Sequence, residues 1–171
     1  LQGGDPFGGR GGEHCDGPGI VDAPAHGHRV VGVLPGRVVG RYGRRFVRAV
    51  LPRIKEKFQP DVVIANGENS AGGLGIIRRS ADELFEAGVN VLTGGNHIWD
   101  KKEALELLKT EKRVLKPLNF HASTPGSGSM AYQTAAGPVV VIVSLQGRVF
   151  MNAWGDFFEE AAKFRALRRC Y

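Results

Sequence analysis

Two short polar segments, each directly after a predicted strand, carry residue types that bind metal ions. Residues 61–65 are mostly β-branched and apolar, and Asn-Gly-Glu-Asn follows them at 66–69. Residues 89–93 are similar, and Gly-Gly-Asn-His follows them at 94–97. Carboxylate and amide oxygens together with imidazole are suitable ligands for divalent iron or manganese. The side chains with this chemistry belong to Glu68, Asn69, Asn96 and His97.

This set of side chains is also suited to phosphate chemistry. A carboxylate such as that of Glu68 can bridge two divalent metal ions, each of which can activate water or hold a phosphate oxygen. The glycines beside these residues let the backbone turn sharply and approach a ligand closely. Asparagine and glycine are ordinary turn residues as well, and a histidine after a strand is often structural. From these residues alone, a metal site and a pair of plain turns both remain open.

The predicted secondary structure places both polar segments at the same edge of a sheet. A helix over 80–87 joins the strands at 61–65 and 89–93, and such βαβ units are parallel and right-handed in nearly all proteins. The carboxyl ends of both strands therefore meet at one edge, where open α/β sheets bind ligands. The other predicted elements are strands at 29–34, 130–135 and 138–144 and helices at 46–58, 101–108 and 156–169. This alternation is typical of an α/β domain with a closing hairpin.

Three local details of the helices can also be predicted from residue type. Ser80 is expected to cap the helix over 80–87, and Asp100 is a candidate N-cap for the helix that follows the second strand. In the first helix, apolar residues at helical spacing predict a buried face that begins at Phe46.

The length and composition of the chain fit one globular domain. The chain has 171 residues, of which 42% are hydrophobic, and a formal net charge of +6, which is enough material for one core. The longest apolar stretch, residues 138–143, is too short to span a bilayer, and a cytoplasmic location is expected because no signal peptide is recognisable. Residues 1–28 are expected to be a disordered Gly-rich leader. Residues 29–151 are expected to form the domain, and residues 152–171 a divergent charged helix or tail.

Positive charge is concentrated in one stretch of the chain. Between residues 37 and 57, eight Arg and Lys side chains face a single acidic residue, Glu56. Such a stretch suits phosphate or nucleic acid, although the solvated face of a helix is the default interpretation. No aromatic interleaving in the stretch indicates a surface for base stacking. Arg148, after the last predicted strand, is a candidate phosphate ligand because a planar guanidinium matches a phosphate group. A surface arginine in a turn is the alternative.

Several of these segments together resemble a known family. Pro-Asp-Val-Val-Ile-Ala-Asn-Gly-Glu-Asn at 60–69 and Gly-Asn-His-Ile-Trp-Asp-Lys-Lys at 95–102 resemble bacterial metallophosphoesterases of the 2′,3′-cyclic-nucleotide 2′-phosphodiesterase type. The segments at 113–120, 124–126 and 145–148 fit as well, and the likeness runs from about residue 29 to residue 151. The resemblance implies the N-terminal portion of a calcineurin-like αββα sandwich with a dinuclear centre of iron or manganese.

The resemblance also implies a role for each candidate side chain. Glu68 would bridge the two metal ions, and Asn69 and Asn96 would each bind one of them. His97 would be the catalytic acid that donates a proton to the leaving oxygen. The activity implied is hydrolysis of a cyclic-nucleotide phosphodiester.

Two features depart from the family pattern. The family's first strand ends in Gly-Asp-Val-Val-Gly, whose aspartate binds a metal, whereas this chain has Gly-Arg-Val-Val-Gly at 36–40. The positive charge of Arg37, about 4 Å from a divalent cation, would repel that cation by roughly 8 kcal/mol at an effective dielectric constant of about 20. The family's later histidines complete both metal shells, but no histidine follows His121 here. We therefore expect a truncated protein with an incomplete metal site.

Three functional hypotheses follow. The first is a metal-dependent phosphodiesterase that acts on a small phosphodiester or nucleotide, with weak or absent catalysis in this chain. The second is a non-catalytic nucleotide- or RNA-binding module that uses the basic helix. The third is a fragment without a function of its own, in which an incomplete sandwich exposes apolar surface. RNA binding and homo-oligomerisation are compatible with the sequence, and a membrane partner is not expected.

Overall fold

Strands and helices alternate along most of the chain. The computed structural model describes residues 20–22, 29–31, 37–135, 137–147 and 157–167. The strands are β1 (Ile20–Asp22), β2 (Arg29–Val31), β3 (Val62–Asn66), β4 (Val91–Thr93), β5 (Val114–Leu115), β6 (Ser129–Gln133) and β7 (Val139–Val143). The helices are α1 (Gly40–Phe58), α2 (Arg78–Glu86), α3 (Lys102–Thr110) and α4 (Phe157–Leu167), and a 3₁₀ turn spans Asn96–Trp99. This alternation confirms the predicted α/β class.

The first five strands form one sheet in the order β1-β2-β3-β4-β5. The strands from β2 to β5 are parallel, and β1 pairs antiparallel with β2 at the edge. The register of β3 against β4 pairs Asn66 with Thr93. Both strands therefore end at the same level, which confirms that the two polar segments leave the sheet at one edge.

Two apolar clusters cover the two faces of this sheet, because successive side chains of a strand point in opposite directions. Val63 and Leu92 face the helices α1, α2 and α3 and belong to the larger cluster. Val62 and Val91 face the other way and pack with Ile142 of the hairpin β6–β7. The sheet thus lies between a helical layer and the hairpin.

The hairpin is also joined by hydrogen bonds to the edge of the sheet where the polar segment after β4 begins. The Ser144 hydroxyl, just after β7, donates to the Gly94 carbonyl at 3.3 Å. The Ser144 backbone carbonyl accepts from the Leu118 N–H at 2.8 Å. On the other side of the hairpin, Val139 and Val141 of β7 are exposed.

The caps of α2 and α3 differ from the prediction. α2 begins two residues before Ser80, and the Ser80 hydroxyl donates to the Ile77 carbonyl at 3.0 Å instead of capping the helix as its first residue. Asp100 does not cap α3, because its carboxylate is hydrogen-bonded to His97. The Ser80 hydroxyl also accepts from the Ile77 N–H at 3.1 Å and so still caps the start of α2, from its third residue, whereas the Asp100 side chain is taken by His97.

Other differences concern α1 and the short strands. Phe46 is 62% exposed, so the buried face of α1 begins one residue later, at Val47. β1 lies inside the segment 1–28 that was expected to be disordered, and the rest of that segment lies outside the described residues. β5 was not predicted, since two residues are too few to show a periodic pattern. Among the described residues, no helix has both the length and the apolar character that crossing a membrane requires.

Candidate active site

Glu68 lies two residues beyond β3, and its carboxylate is buried at the edge of the sheet. The turn is held by the Asn66 side-chain oxygen, which accepts from the Glu68 backbone N–H at 3.0 Å. Glu68 is only 4% exposed, and its Oε1 accepts from the His97 backbone N–H at 2.8 Å. Burying a carboxylate is costly unless it is paired or binds a cation. The site is therefore built around one buried carboxyl group.

The second polar segment reaches this carboxylate through Gly95. A Cβ atom at Gly95 would lie 2.7 Å from both carboxylate oxygens of Glu68. A Cβ at Gly94 would lie 2.1 Å from Cδ1 of Ile98. Only glycine fits at either position, which explains the Gly-Gly pair: it lets the backbone after β4 lie directly against the Glu68 side chain.

Asn69 contributes a buried polar atom without a partner. No hydrogen-bond donor in the described part of the chain reaches its side-chain oxygen, Oδ1. The loop itself is fixed, because the Asn69 backbone carbonyl accepts from the Gly40 N–H at 2.9 Å. An unsatisfied buried oxygen costs roughly 1–3 kcal/mol. A divalent cation beside Glu68 would satisfy this lone pair, so the orphaned oxygen fits the role of metal ligand expected for Asn69.

His97 lies in the 3₁₀ turn, partly exposed, with its ring held by Asp100. The His97 Nδ1 atom lies 2.7 Å from Asp100 Oδ2. With the proton shared on that side, Nε2 is the ring nitrogen left to face a substrate. Asn96 is partly exposed in the same turn. Sequence reasoning missed the contribution of Asp100, although its spacing three residues after His97 places both side chains on one side of a turn.

Arg37 lies at the same edge as the buried carboxylate. Its backbone forms a parallel bridge with Asn66. Its Nη1 lies 4.0 Å from Glu68 Oε2, and its side chain is 57% exposed. An ion pair as exposed as this one contributes at most about 1 kcal/mol. Arg37 therefore does not swing away from the site but competes weakly with any cation for the Glu68 carboxylate.

The structure brings the candidate residues of the two polar segments to one edge of the sheet. Glu68 contacts the His97 backbone, Asn69 follows Glu68 directly, and Asn96 precedes His97 in the 3₁₀ turn. Among the described residues, no group of three or more His, Cys, Asp and Glu side chains is arranged to hold a metal. One carboxylate with amide oxygens is a hard but sparse donor set, of the kind that suits a divalent ion such as manganese. The remaining candidate, the phosphate ligand Arg148, lies outside the described residues.

Arg44 of α1 supports the loop that carries Asn69. Its Nε donates to Glu83 Oε2 of α2 at 2.6 Å, and its Nη1 donates to the Ser70 carbonyl. The hydrogen bond from Arg44 lowers the pKa of Glu83, against the opposing effect of burial, and Arg79 adds a smaller contribution. Glu83 therefore helps to hold the Arg44 side chain against the backbone of Ser70, the residue next to Asn69.

We expect replacement of Glu83 by glutamine to remove an acid-sensitive part of the stability. Because the pKa of Glu83 is lower in the folded state than the ordinary value of 4.5, the pair stabilises the fold above that pH. This contribution is lost as the pH falls through the folded-state pKa. Urea unfolding should show Glu83→Gln to be less stable by about 1 kcal/mol at neutral pH and equal to wild type in strong acid.

Glu103 provides the matched control for this measurement. Its side chain is exposed near the start of α3, with no ion pair to another described residue. Glu103→Gln should keep the pH dependence of the wild type. A Glu83→Gln deficit that is the same at neutral and acid pH would show that packing, not the charge, is responsible.

Comparisons with known proteins identify relatives of this chain. Residues 33–169 match the family model described as YmdB-like protein. A 2′,3′-cyclic-nucleotide 2′-phosphodiesterase from Bacillus subtilis is 38% identical over 126 residues, which is 74% of this chain and 47% of that protein. A putative phosphatase/phosphodiesterase from Mycoplasma pneumoniae is 37% identical over 105 residues, 59% of this chain and 37% of that protein. The chain thus spans about half, or less, of the length of these curated relatives.

Two solved structures are also similar. A hypothetical protein from Thermus thermophilus aligns with a TM-score of 0.69 and 41% identity, over 75% of this chain and 50% of that one. A novel phosphatase from Mycoplasma pneumoniae aligns with a TM-score of 0.67 and 32% identity, over 78% of this chain and 49% of that one. These matches confirm the fold class and the resemblance to bacterial phosphoesterases. The chain therefore belongs to the YmdB-like protein family.

Proposed function

We propose that this chain carries part of the active site of a metal-dependent phosphodiesterase whose complete form hydrolyses 2′,3′-cyclic-nucleotide phosphodiesters. The observation that supports this most directly is the orphaned Asn69 Oδ1 beside the buried Glu68 carboxylate. The Glu68 carboxylate accepts from the His97 N–H, but the Asn69 oxygen has no partner among the described residues that would offset the cost of burying it. The substrate class follows the name of the Bacillus subtilis relative.

Each side chain has a distinct role in this proposal. Glu68, Asn69 and Asn96 would hold two divalent ions, iron or manganese, which when bound polarise the phosphate and supply the nucleophile. His97 would give a proton to the leaving oxygen, as a general acid does. Asp100 would hold the imidazole ring at the angle needed for that transfer. The glycine at Gly95 would keep the approach to the carboxylate free of side-chain atoms.

Metal binding is the first test of this proposal. Isothermal titration of the 171-residue chain with Mn²⁺ should show binding that is weakened at least about tenfold in Glu68→Gln and Asn69→Ala, since each loses a ligand. Equal Mn²⁺ binding by these variants and the wild type would refute the assignment of the site.

Catalysis is the second test, and we expect this chain to hydrolyse 2′,3′-cyclic AMP weakly or not at all. Arg37 competes for Glu68, and the chain spans about half the length of its curated relatives. The assay is product release with added Mn²⁺ or Fe²⁺. A robust rate that is abolished by His97→Ala would show that the residues present suffice for catalysis and that this expectation of weakness is wrong.

We expect replacement of Asp100 to lower kcat and to leave the Mn²⁺ affinity unchanged. In a form of the protein with measurable turnover, His97→Ala should lower kcat by about a hundredfold or more, because the general acid is lost. Asp100→Asn leaves the imidazole ring of His97 in place and removes only the carboxylate that orients it, so we expect a smaller fall in kcat, of about tenfold. Mn²⁺ affinity should stay that of the parent protein. A parallel loss of Mn²⁺ affinity would show that Asp100 acts on the metal ligands instead.

A non-catalytic nucleotide- or RNA-binding module is the second candidate, favoured by the basic side chains of α1. Arg44 is a poor probe of that idea, because its guanidinium already binds Glu83 and Ser70. Arg45 is the cleaner probe, since its side chain is exposed and makes no ion pair with another described residue. RNA binding by the wild-type chain, together with no detectable Mn²⁺ binding by that same chain, would favour the module over the enzyme.

A further inference from the structure

A basic cleft of about 990 Å³ opens between α1, α2 and the start of α3. Seven Arg and Lys side chains line it, against the two carboxylates of Glu83 and Glu103. So strong an excess of one charge in a concave surface focuses the electrostatic potential and concentrates anions there.

Only some of these cations are neutralised within the protein. Glu83 pairs with both Arg44, at 2.6 Å, and Arg79, at 3.3 Å. By contrast, four cations of the cleft form no ion pair within the part of the chain that is described, namely Arg41, Arg45, Lys101 and Lys102. The cleft therefore keeps several positive charges available for a ligand, and two of them are guanidinium groups that match phosphate oxygens.

The cleft adjoins the candidate active site. Gly72 lies on its wall, three residues after Asn69. Lys101 follows Asp100, the partner of His97, and its side chain lies against the backbone of Gly75. A Cβ at Gly75 would be 2.9 Å from Lys101 Cγ and 3.4 Å from the His97 carbonyl oxygen. A ligand in the cleft would thus reach the turn that carries His97.

Exposed aromatic side chains lie next to these cations on α1. Tyr42 is 85% exposed and Phe46 is 62% exposed. Tyr42 lies three residues before Arg45, and Phe46 lies four residues after Tyr42, so the Tyr42 ring borders Arg45 at the rim of the cleft and the Phe46 ring borders Tyr42 on the helix surface. Aromatic rings beside a basic groove are the arrangement with which proteins bind single-stranded nucleic acid, because unpaired bases stack on the rings. This surface was not predicted from the sequence, because the helical spacing of Phe46 placed it among the apolar residues of the buried face.

We propose that the cleft binds the phosphate backbone of a single-stranded RNA whose terminal phosphodiester lies in the adjoining active site. This inference rests on the proposed function, since the active site supplies the reason for a phosphate at the mouth of the cleft. The natural substrate would then be an oligoribonucleotide with a cyclic phosphate end rather than a free nucleotide. An acidic protein would match the charge but would not use the rings of Tyr42 and Phe46.

The salt dependence of RNA binding tests this proposal. The probe is a fluorescent hexaribonucleotide with a terminal 3′-phosphate, which hydrolysis of a cyclic phosphate cannot alter, and binding is followed by anisotropy without added metal. Each phosphate contact on a single strand contributes about −0.7 to the slope of log K against log salt. The double variant Arg45→Ala/Lys102→Ala should therefore bind at least about tenfold more weakly, with a slope smaller by about 1.4.

The control is Arg53→Ala/Lys112→Ala, which removes the same net charge from exposed positions outside the cleft. It should keep the wild-type slope. Equal slopes for the two double variants would overturn the proposal. Tyr42→Ala/Phe46→Ala should weaken binding without changing the slope, because stacking carries no counterion release.

Two further measurements separate the alternatives. Polyglutamate with the same number of charges should displace the RNA poorly, and displacement as effective as by unlabelled RNA would overturn the proposal in favour of an acidic protein partner. Mn²⁺ binding is measured independently. If Mn²⁺ does not bind, the proposed function is refuted, but the salt dependence of RNA binding still tests the cleft. If the salt dependence does not change as expected, only the inference about the cleft is refuted.

Discussion

Replacement of Arg37 by aspartate should tighten Mn²⁺ binding by about a hundredfold or more. The substitution removes a guanidinium whose Nη1 lies 4.0 Å from Glu68 Oε2 and supplies a carboxylate at the same edge. A unit charge at that distance from a divalent ion corresponds to roughly 8 kcal/mol at an effective dielectric constant of about 20. Solvent screens a side chain that is more than half exposed, so we expect only part of this effect. A hundredfold change corresponds to about 2.7 kcal/mol.

Isothermal titration with Mn²⁺ measures this change, and two further variants separate its causes. Arg37→Gln removes the charge without adding a ligand and should give an intermediate affinity. Arg53→Asp makes the same change in net charge at an exposed position far along α1 and should leave the affinity unchanged. If Arg53→Asp tightens Mn²⁺ binding as much as Arg37→Asp does, net charge alone is responsible and Arg37 has no specific effect on the site. Hydrolysis of 2′,3′-cyclic AMP should rise with the affinity.

Gly95→Ala is the second substitution for which we expect a large effect. Its φ of −137° is open to any residue, so the obstacle is steric: the added Cβ would lie 2.7 Å from both carboxylate oxygens of Glu68. The carboxylate would have to leave its position, and the packing strain should lower the free energy of unfolding by about 1–3 kcal/mol. Mn²⁺ affinity should fall at least about tenfold because the central ligand is displaced.

The double variant Gly95→Ala/Glu68→Asp distinguishes this steric cause from a general effect of alanine. Aspartate is one methylene shorter, so the double variant should regain much of the stability lost in Gly95→Ala but not the Mn²⁺ affinity. Gly147→Ala is the matched control, because a Cβ there meets no atom within 4 Å. If the double variant is less stable than Gly95→Ala, the contact with Glu68 is not the source of the strain.

The position of the site could be predicted from the sequence because it depends on topology. Parallel strands joined by one helix must end at the same edge, and the pairing of Asn66 with Thr93 shows that they do. Glu68 and His97 follow those strands within a few residues, so their contact required no knowledge of side-chain packing. The βαβ unit and the hairpin were predictable for the same reason, since each depends on local patterns of apolar residues.

What could not be predicted depends on competition between partners distant in sequence. Asp100 suited a helix cap by residue type, but the imidazole of His97 takes its carboxylate. Phe46 fitted the helical spacing of a core residue, yet the core that α2 and α3 provide begins at Val47. The family resemblance indicates that Arg37 stands where the family has an aspartate, but only the fold shows that its guanidinium lies 4.0 Å from the Glu68 carboxylate.

The hydrogen bonds of Ser144 have a consequence for the cooperativity of the fold. The Gly94 carbonyl accepts from the Ser144 hydroxyl, and the Gly94 N–H donates to the Leu115 carbonyl at 2.8 Å. The backbone of the turn that carries His97 is therefore held at once by the neighbouring strand β5 and by the hairpin β6–β7. Loops that open independently of the rest of the fold are held by few such hydrogen bonds. The turn that presents His97 should thus belong to the same unfolding unit as the hairpin, and any ligand that orders one layer would slow the opening of the other.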